Sequence, residues 1–349
     1  MYFLQMNYRY GFHFTKLPSM FLTIKRIIDN SDVNAAQLYI SNSRSFQRIT
    51  FNIDDFRLAR KYIEVFDLYV CIHGCLLYNL AGSVNNLDQD IENKIMRTLD
   101  GLISELDIGV AIHAGVVVHI GACQDRKVGM EIISSTINTA LTRITPEAKK
   151  IAVDMNISIT EFIKRRKIIL ENSAGEGNKL GRDLNEIAQI ISGVREDLRP
   201  QVKVCIDTAH AFGAGIYDWG VPGEIQKFYD DFAKIIGMQH LELFHLNDSM
   251  ISEKKANNAP FGSKKDRHQN LTLGYIFNEK ELSRKGQLIT FFEYAKKYNI
   301  KIIGEPPGRK SEKDNNGEDD LTGGYFDWEV ITKLLNTTEV PLFQNAGNK

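Results

Sequence analysis

Eight short, β-rich apolar runs recur along this chain with helix-period segments between them, and that alternation restricts the fold more than any other feature. The runs are 7–14, 36–41, 69–75, 115–121, 167–172, 202–208, 241–248 and 300–306. Segments such as "DDFRLARKYIEVF", "ENKIMRTLDGLISELD", "EIISSTINTALTRI", "LNEIAQIISGV" and "EIQKFYDDFAKIIG" fill the intervals with helical spacing. No Pro-, Gly- or Ser-rich linker divides the 349 residues, so the pattern predicts one domain over 1–349. The architecture expected is an α/β fold, a single (β/α)8 TIM barrel with its active site at the C-terminal ends of the strands. Two polar stretches interrupt the alternation. Residues 247–274 read as a long loop after the seventh strand, and loops of that length serve a function or lack order. Residues 309–325 read as a mobile, charged surface insertion, and 340–349 as a flexible tail.

Composition narrows the setting. A formal charge of -1 excludes a broadly basic coat, so any nucleic-acid contact must come from a local patch. No apolar run approaches the roughly 20 residues that span a bilayer, and the first 26 residues lack the pattern of a secretory signal. Four cysteines, Cys71, Cys75, Cys123 and Cys205, are too few and too irregular for a disulfide framework. The expectation is a soluble, intracellular protein without membrane partners.

The residue that ends each strand is the informative one. The third strand ends at His73, the fourth at His119, the fifth at Glu171, the sixth at Asp207 with His210 beyond it, the seventh at His245 and the eighth at Glu305. The loop after the seventh adds Asp266 and His268. A lone His or Glu at a strand end is more often a hydrogen-bonded structural residue than a ligand. Five of eight histidines at equivalent barrel positions outweigh that reading, because structural accidents would scatter them. Imidazoles and carboxylates together form the ligand set of zinc and similar divalent ions, and nine exceed what one tetrahedral ion uses. Two or three metals are implied, with a carboxylate bridging at least one pair. His13, His113 and His240 read as structural or supporting residues. Cys71, His73 and Cys75 share one face of the third strand, which places buried thiols beside the site.

The segments "LFHLNDS", "FGSKKDRHQNLTLG", "CIDTAHAFGAGIYD" and "IILENSAGEGNKLG", with "IHGCLLYNL", "VVVHIGA" and "IIGEPPG", resemble endonuclease IV, the family-2 AP endonucleases. The resemblance runs from about Gly11 to Glu305 and fills all nine ligand positions. It implies three Zn2+ ions, with Mn2+ as an alternative at one position, and incision of double-stranded DNA 5′ to an abasic site in base-excision repair, leaving a 3′-hydroxyl. Trimming of blocked 3′ ends would be a related activity. One zinc would take His73, His119 and Glu171; the second would share Glu171 and add Asp207, His245 and Glu305; the third would take His210, Asp266 and His268. Glu171 and Glu305 would be the catalytic carboxylates.

For DNA contact the resemblance implies Arg44, Leu76 and Leu77, with Leu76 standing where the family commonly has a tyrosine and Tyr78 two residues on. Arg267 reads as a phosphate contact, and Lys264 and Lys265 beside it as further candidates. The expected state is a monomer in cytoplasm or nucleus, or in a virion, since richness in Ile, Asn and Lys fits an AT-rich genome such as that of a large DNA virus. The rival readings are a metal-dependent sugar isomerase or epimerase of the same barrel class and a DNA-binding module without catalysis.

Overall fold

The computed structural model describes residues 8–41, 43–46, 50–82, 90–307 and 322–336. Each expected run coincides with a strand, the second beginning one residue early: β1 (Tyr10–Phe14), β2 (Ala35–Leu38), β3 (Tyr69–His73), β4 (Gly115–His119), β5 (Ile168–Glu171), β6 (Val202–Asp207), β7 (Leu241–His245) and, after a two-residue pair β8 (Asp248–Ser249) and β9 (His268–Gln269), β10 (Lys301–Gly304). The eight long strands close into an all-parallel barrel in the order β1-β10-β7-β6-β5-β4-β3-β2. This is the (β/α)8 barrel the alternation predicts. Most of the proposed 309–325 insertion and all of the 340–349 tail lie outside the described residues; from Thr322 the chain is helical to Asn336.

Local chemistry starts the outer helices. Ser19, Asn52, Asp125, Thr145, Ser158 and Asp183 each precede a helix and accept a backbone N–H of its first turn. Such caps contribute about 1 kcal/mol apiece.

Strand periodicity aims the side chains. Ala35, Cys71, Val117, Ile169, Cys205, Leu243 and Ile303 pack together as an apolar cluster inside the barrel. Side chains two residues further along a strand face the same way. Those positions are Gln37, His73, His119, Glu171, Asp207, His245 and Glu305, and the corresponding residue after Gly11 on β1 is His13. The lumen is therefore apolar below and polar at its C-terminal mouth.

The loop after β7 is tied down, in contrast to the structureless stretch its composition suggests. β8 and β9 pair antiparallel within it. The buried Asp248 carboxylate accepts the backbone N–H groups of Ser249 (2.7 Å), Gly274 (3.3 Å), Ile276 (2.7 Å) and Phe277 (3.2 Å), closing the loop base.

On the outer layer a fully buried ion pair joins three elements. The Arg166 guanidinium donates to Asp107 Oδ1 at 3.0 and 2.6 Å and to the carbonyls of Ala140 and Arg143 at 2.9 and 2.8 Å. Thr145 Oγ1 donates to the other Asp107 oxygen at 2.5 Å. Removing one partner of such a pair leaves an uncompensated buried charge. Asp107→Ala is therefore expected to lower unfolding free energy by about 3–5 kcal/mol. Denaturant unfolding, read as a midpoint shift at constant slope, checks this.

Candidate metal centre

The nine expected residues gather at the mouth of the barrel in overlapping groups. In each of three sets, His73, His119 and Glu171; Glu171, Asp207, His245 and Glu305; and Asp207, His210 and His268, the candidate ligand atoms lie within 4.8 Å of one another. Asp266 completes the third set in a different way, through His210 Nε2 at 3.2 Å and His268 Nε2 at 3.4 Å. Glu171 stands between sets. Its Oε2 faces His73 Nε2 (3.5 Å) and His119 Nε2 (3.2 Å), while its Oε1 faces His245 Nδ1 (3.1 Å) and His210 Nδ1 (3.4 Å).

Two observations test whether these residues suit divalent ions. Glu171 Oε2 and His268 Nε2 are buried without a hydrogen-bond partner, although imidazole and carboxylate atoms surround both. Ligand atoms that face a common centre rather than one another produce this pattern. Three of the five imidazoles are also held in a fixed sense by carbonyls: His73 Nδ1 donates to Gly74 O (2.8 Å), His210 Nδ1 to Asn172 O (3.0 Å) and His268 Nδ1 to Glu305 O (3.3 Å). In a neutral ring each such bond leaves the Nε2 lone pair for a ligand role. The residues fit the ions.

Supporting amides lock the carboxylates. Asn172 accepts the Asp207 N–H at 2.7 Å, and Asn247 donates to Asp207 Oδ2 (2.7 Å) while accepting the Glu305 N–H (3.0 Å). Asp207 Oδ1 also accepts the His210 N–H at 2.8 Å as cap of the short helix that follows. Sequence reasoning passes over these asparagines and Gln37, because amides are not ligand types. It reads His13 as structural or supporting, and His13 stands in this network in a supporting place, with Nδ1 3.1 Å from Gln37 Nε2 and 3.6 Å from Glu305 Oε1. The available signal is register: His13 and Gln37 occupy on β1 and β2 the position that carries a candidate ligand on the other six strands.

Around the centre a cavity of about 330 Å³ is lined by Leu76, Leu77, His119, Glu171, Lys179 and His210, among others. Leu77 is 46% exposed at its rim and Leu76 half-buried, and Arg44 is exposed on the loop after β2. Tyr78, two residues past Leu76, is buried. Phe46, which sequence reasoning did not select, is 42% exposed with its ring 6.0 Å from that of Tyr78. Arg267 and Lys264 are exposed, whereas Lys265 Nζ donates to Ala256 O (2.9 Å) and Asn258 O (3.0 Å) and so braces its own loop. Cys71 and Cys75 are buried thiols, the second donating to the carbonyls of Ser43 (3.3 Å) and Ser45 (3.5 Å).

Residues 28–287 match the AP endonuclease 2 family, described as a xylose isomerase-like TIM barrel. The chain belongs to this family. Among solved structures, the xylose isomerase-like barrel of this chain is similar to endonuclease IV from Thermus thermophilus, at 20% identity, 95% coverage of this chain, 100% of that chain and TM-score 0.65. It is similar to the AsfvAP:AG structure at 19% identity, 94% and 99% coverage and TM-score 0.64. A D-tagatose 3-epimerase-like protein shares the fold at 13% identity, 94% and 97% coverage and TM-score 0.57. Among the described residues of this barrel no helix is long and apolar enough to cross a membrane.

Without metal, protons offset the buried carboxylates. Burial alone would discharge His245 and His268, but Glu305 and Glu171 beside the first, and Asp207 and Asp266 beside the second, push each up to about 9. Burial likewise opposes the charge on Glu171, yet His245 and His119 hold its carboxyl well below the usual range. An imidazole raised in this way adds stability that is complete below the unfolded value of about 6.5 and is lost as pH climbs through the folded value. Chelator-stripped protein is therefore expected to lose stability between pH 6.5 and about 9. Zinc, which takes the neutral imidazole, should stabilise more strongly as pH rises across that window. Denaturant titrations of stripped and zinc-loaded protein at both ends of the window measure the difference.

Proposed function

We propose that this chain is a zinc-dependent endonuclease of the endonuclease IV type, hydrolysing the phosphodiester 5′ to an abasic site in double-stranded DNA to leave a 3′-hydroxyl. Base-excision repair is its setting, with trimming of blocked 3′ ends as a second use of the same chemistry. One observation carries the reading: nine imidazole and carboxylate side chains converge at one barrel mouth in three groups joined through Glu171 and Asp207. Similarity to endonuclease IV from Thermus thermophilus supports it.

His73, His119 and Glu171 would hold one ion, Glu171, Asp207, His245 and Glu305 a second, and His210, Asp266 and His268 a third, with Asp207 adjoining the last two. Ions so held supply an activated water and Lewis acidity toward phosphate oxygens. The chain's own contribution is placement. Glu171 presents one oxygen to each neighbouring group, which would fix their separation, and Glu305 would orient a water against the phosphate. Arg44, Arg267 and Lys264 provide exposed positive charge for the DNA backbone. Phe46 and Leu77 provide the exposed apolar surface that unstacks a base step, with the half-buried Leu76 next to Leu77 in the chain. Phe46 thus offers from the loop after β2 the aromatic face that Leu76 lacks.

The epimerase reading retains one supporting observation, the shared fold with a D-tagatose 3-epimerase-like protein. Zinc-loaded protein is expected to nick a duplex carrying one abasic site on its 5′ side and to leave the undamaged duplex intact; Glu171→Gln should reduce nicking to background. Epimerisation of ketoses without nicking would transfer the chain to the rival class, and binding without nicking would make it a DNA-binding module. Phe46→Ala and Leu77→Ala should each weaken binding to the abasic duplex by about 1–2 kcal/mol, the scale of a lost stacking contact. Fluorescence anisotropy measures that loss.

A further inference from the structure

His245 breaks the pattern of the other imidazoles. Where His73, His210 and His268 turn Nδ1 to a backbone carbonyl, His245 turns Nδ1 inward, 3.1 Å from Glu171 Oε1 and 3.3 Å from Glu305 Oε2. Its Nε2 lies 2.9 Å from Gln37 Oε1. The other end of the same amide, Gln37 Nε2, donates to Glu305 Oε1 at 2.6 Å and lies 3.1 Å from His13 Nδ1. The Gln37 side chain is completely buried.

The amide's orientation follows from its neighbours. An ionised carboxylate only accepts, so the NH2 end of Gln37 must face Glu305. The carbonyl end then faces His245, and an acceptor at that place requires the proton on Nε2. A neutral His245 with its proton on Nε2 has its lone pair on Nδ1, which points into the group formed by Glu171, Asp207 and Glu305. Meanwhile the bond to Glu305 Oε1 leaves Oε2 turned toward the same point. Cys71 Sγ donates to Gln37 Oε1 at 3.4 Å and steadies the amide from below.

We infer that Gln37 is a positioning residue for the second metal, selecting the Nδ1 lone pair of His245 and the inward oxygen of Glu305 with the two ends of one amide. The inference rests on the metal-centre reading but not on the identity of the substrate. Loss of such an outer partner of a metal ligand characteristically weakens metal binding about 10–100-fold.

The test reads metal rather than DNA cleavage. Wild-type protein, Gln37→Leu, Gln37→Glu and a control, Ile169→Val, are loaded with zinc and challenged with graded chelator, and bound zinc per chain is measured. Both Gln37 variants should release one ion at about 10–100-fold lower chelator concentration, and the control, destabilised without touching the amide, should match wild type. Zinc-loaded wild-type protein labelled with 15N histidine should show His245 protonated at Nε2, a readout that needs no variant to fold. Wild-type release profiles in both Gln37 variants, or a His245 proton on Nδ1, would overturn the inference while leaving the functional proposal standing. Wild-type protein that retains no zinc would overturn both.

Discussion

Buried negative charge is the constraint on which the rest of the structure depends. Glu171 and Asp207 are almost wholly removed from water, and Glu305 and Asp266 lie beside them in the same mouth. Carboxylates so placed repel one another, and the cost of desolvating each is several kcal/mol unless positive charge answers it. Protonated histidines answer it in part. Divalent cations would answer it more completely, and would also satisfy inward-facing atoms such as Glu171 Oε2. The barrel supplies the opposing stability: a closed sheet with an apolar lumen and capped helices gives a frame rigid enough to hold like charges together.

Much of this was legible in the residues because strand periodicity is short. With a period of two, an apolar residue followed two positions later by His, Asp or Glu at the end of a β-rich run gives both the strand boundary and the inward direction. Six strands carry that signature, and the structure brings all six side chains to one place. His210, just past the sixth strand, and Asp266 and His268, in the loop after the seventh, joined the set by residue type and place in the chain, since none has a barrel-strand register to announce it, and the family resemblance then assigned them to a third ion.

What remained hidden depends on contacts distant in sequence. Nothing near Arg166 marks it as the partner of Asp107, 59 residues away. Tyr78 sits beside two leucines proposed to meet DNA, yet faces inward, and Lys265 bonds back across its own loop. Gln37 was hidden for a chemical reason rather than a geometric one: an amide does not resemble a metal ligand, although its register is that of one. Asn172 and Asn247 belong to the same class, and together these three amides govern how the carboxylates and His245 are aimed.

The closed base of the loop after β7 divides the site into parts carried by different segments of the chain. Asp248 gathers the start and end of that loop through four backbone bonds, and the β8–β9 pair stiffens its interior. Asp266 and His268 ride on this internally braced loop, whereas His73, His119, Glu171, Asp207, His245 and Glu305 belong to the barrel strands or to their immediate ends. An exchange of the loop at its neck would remove two candidate ligands of the third group and leave the six barrel-borne ones in register. One scaffold could in this way gain or shed a metal subsite through a single insertion event, without disturbing its sheet.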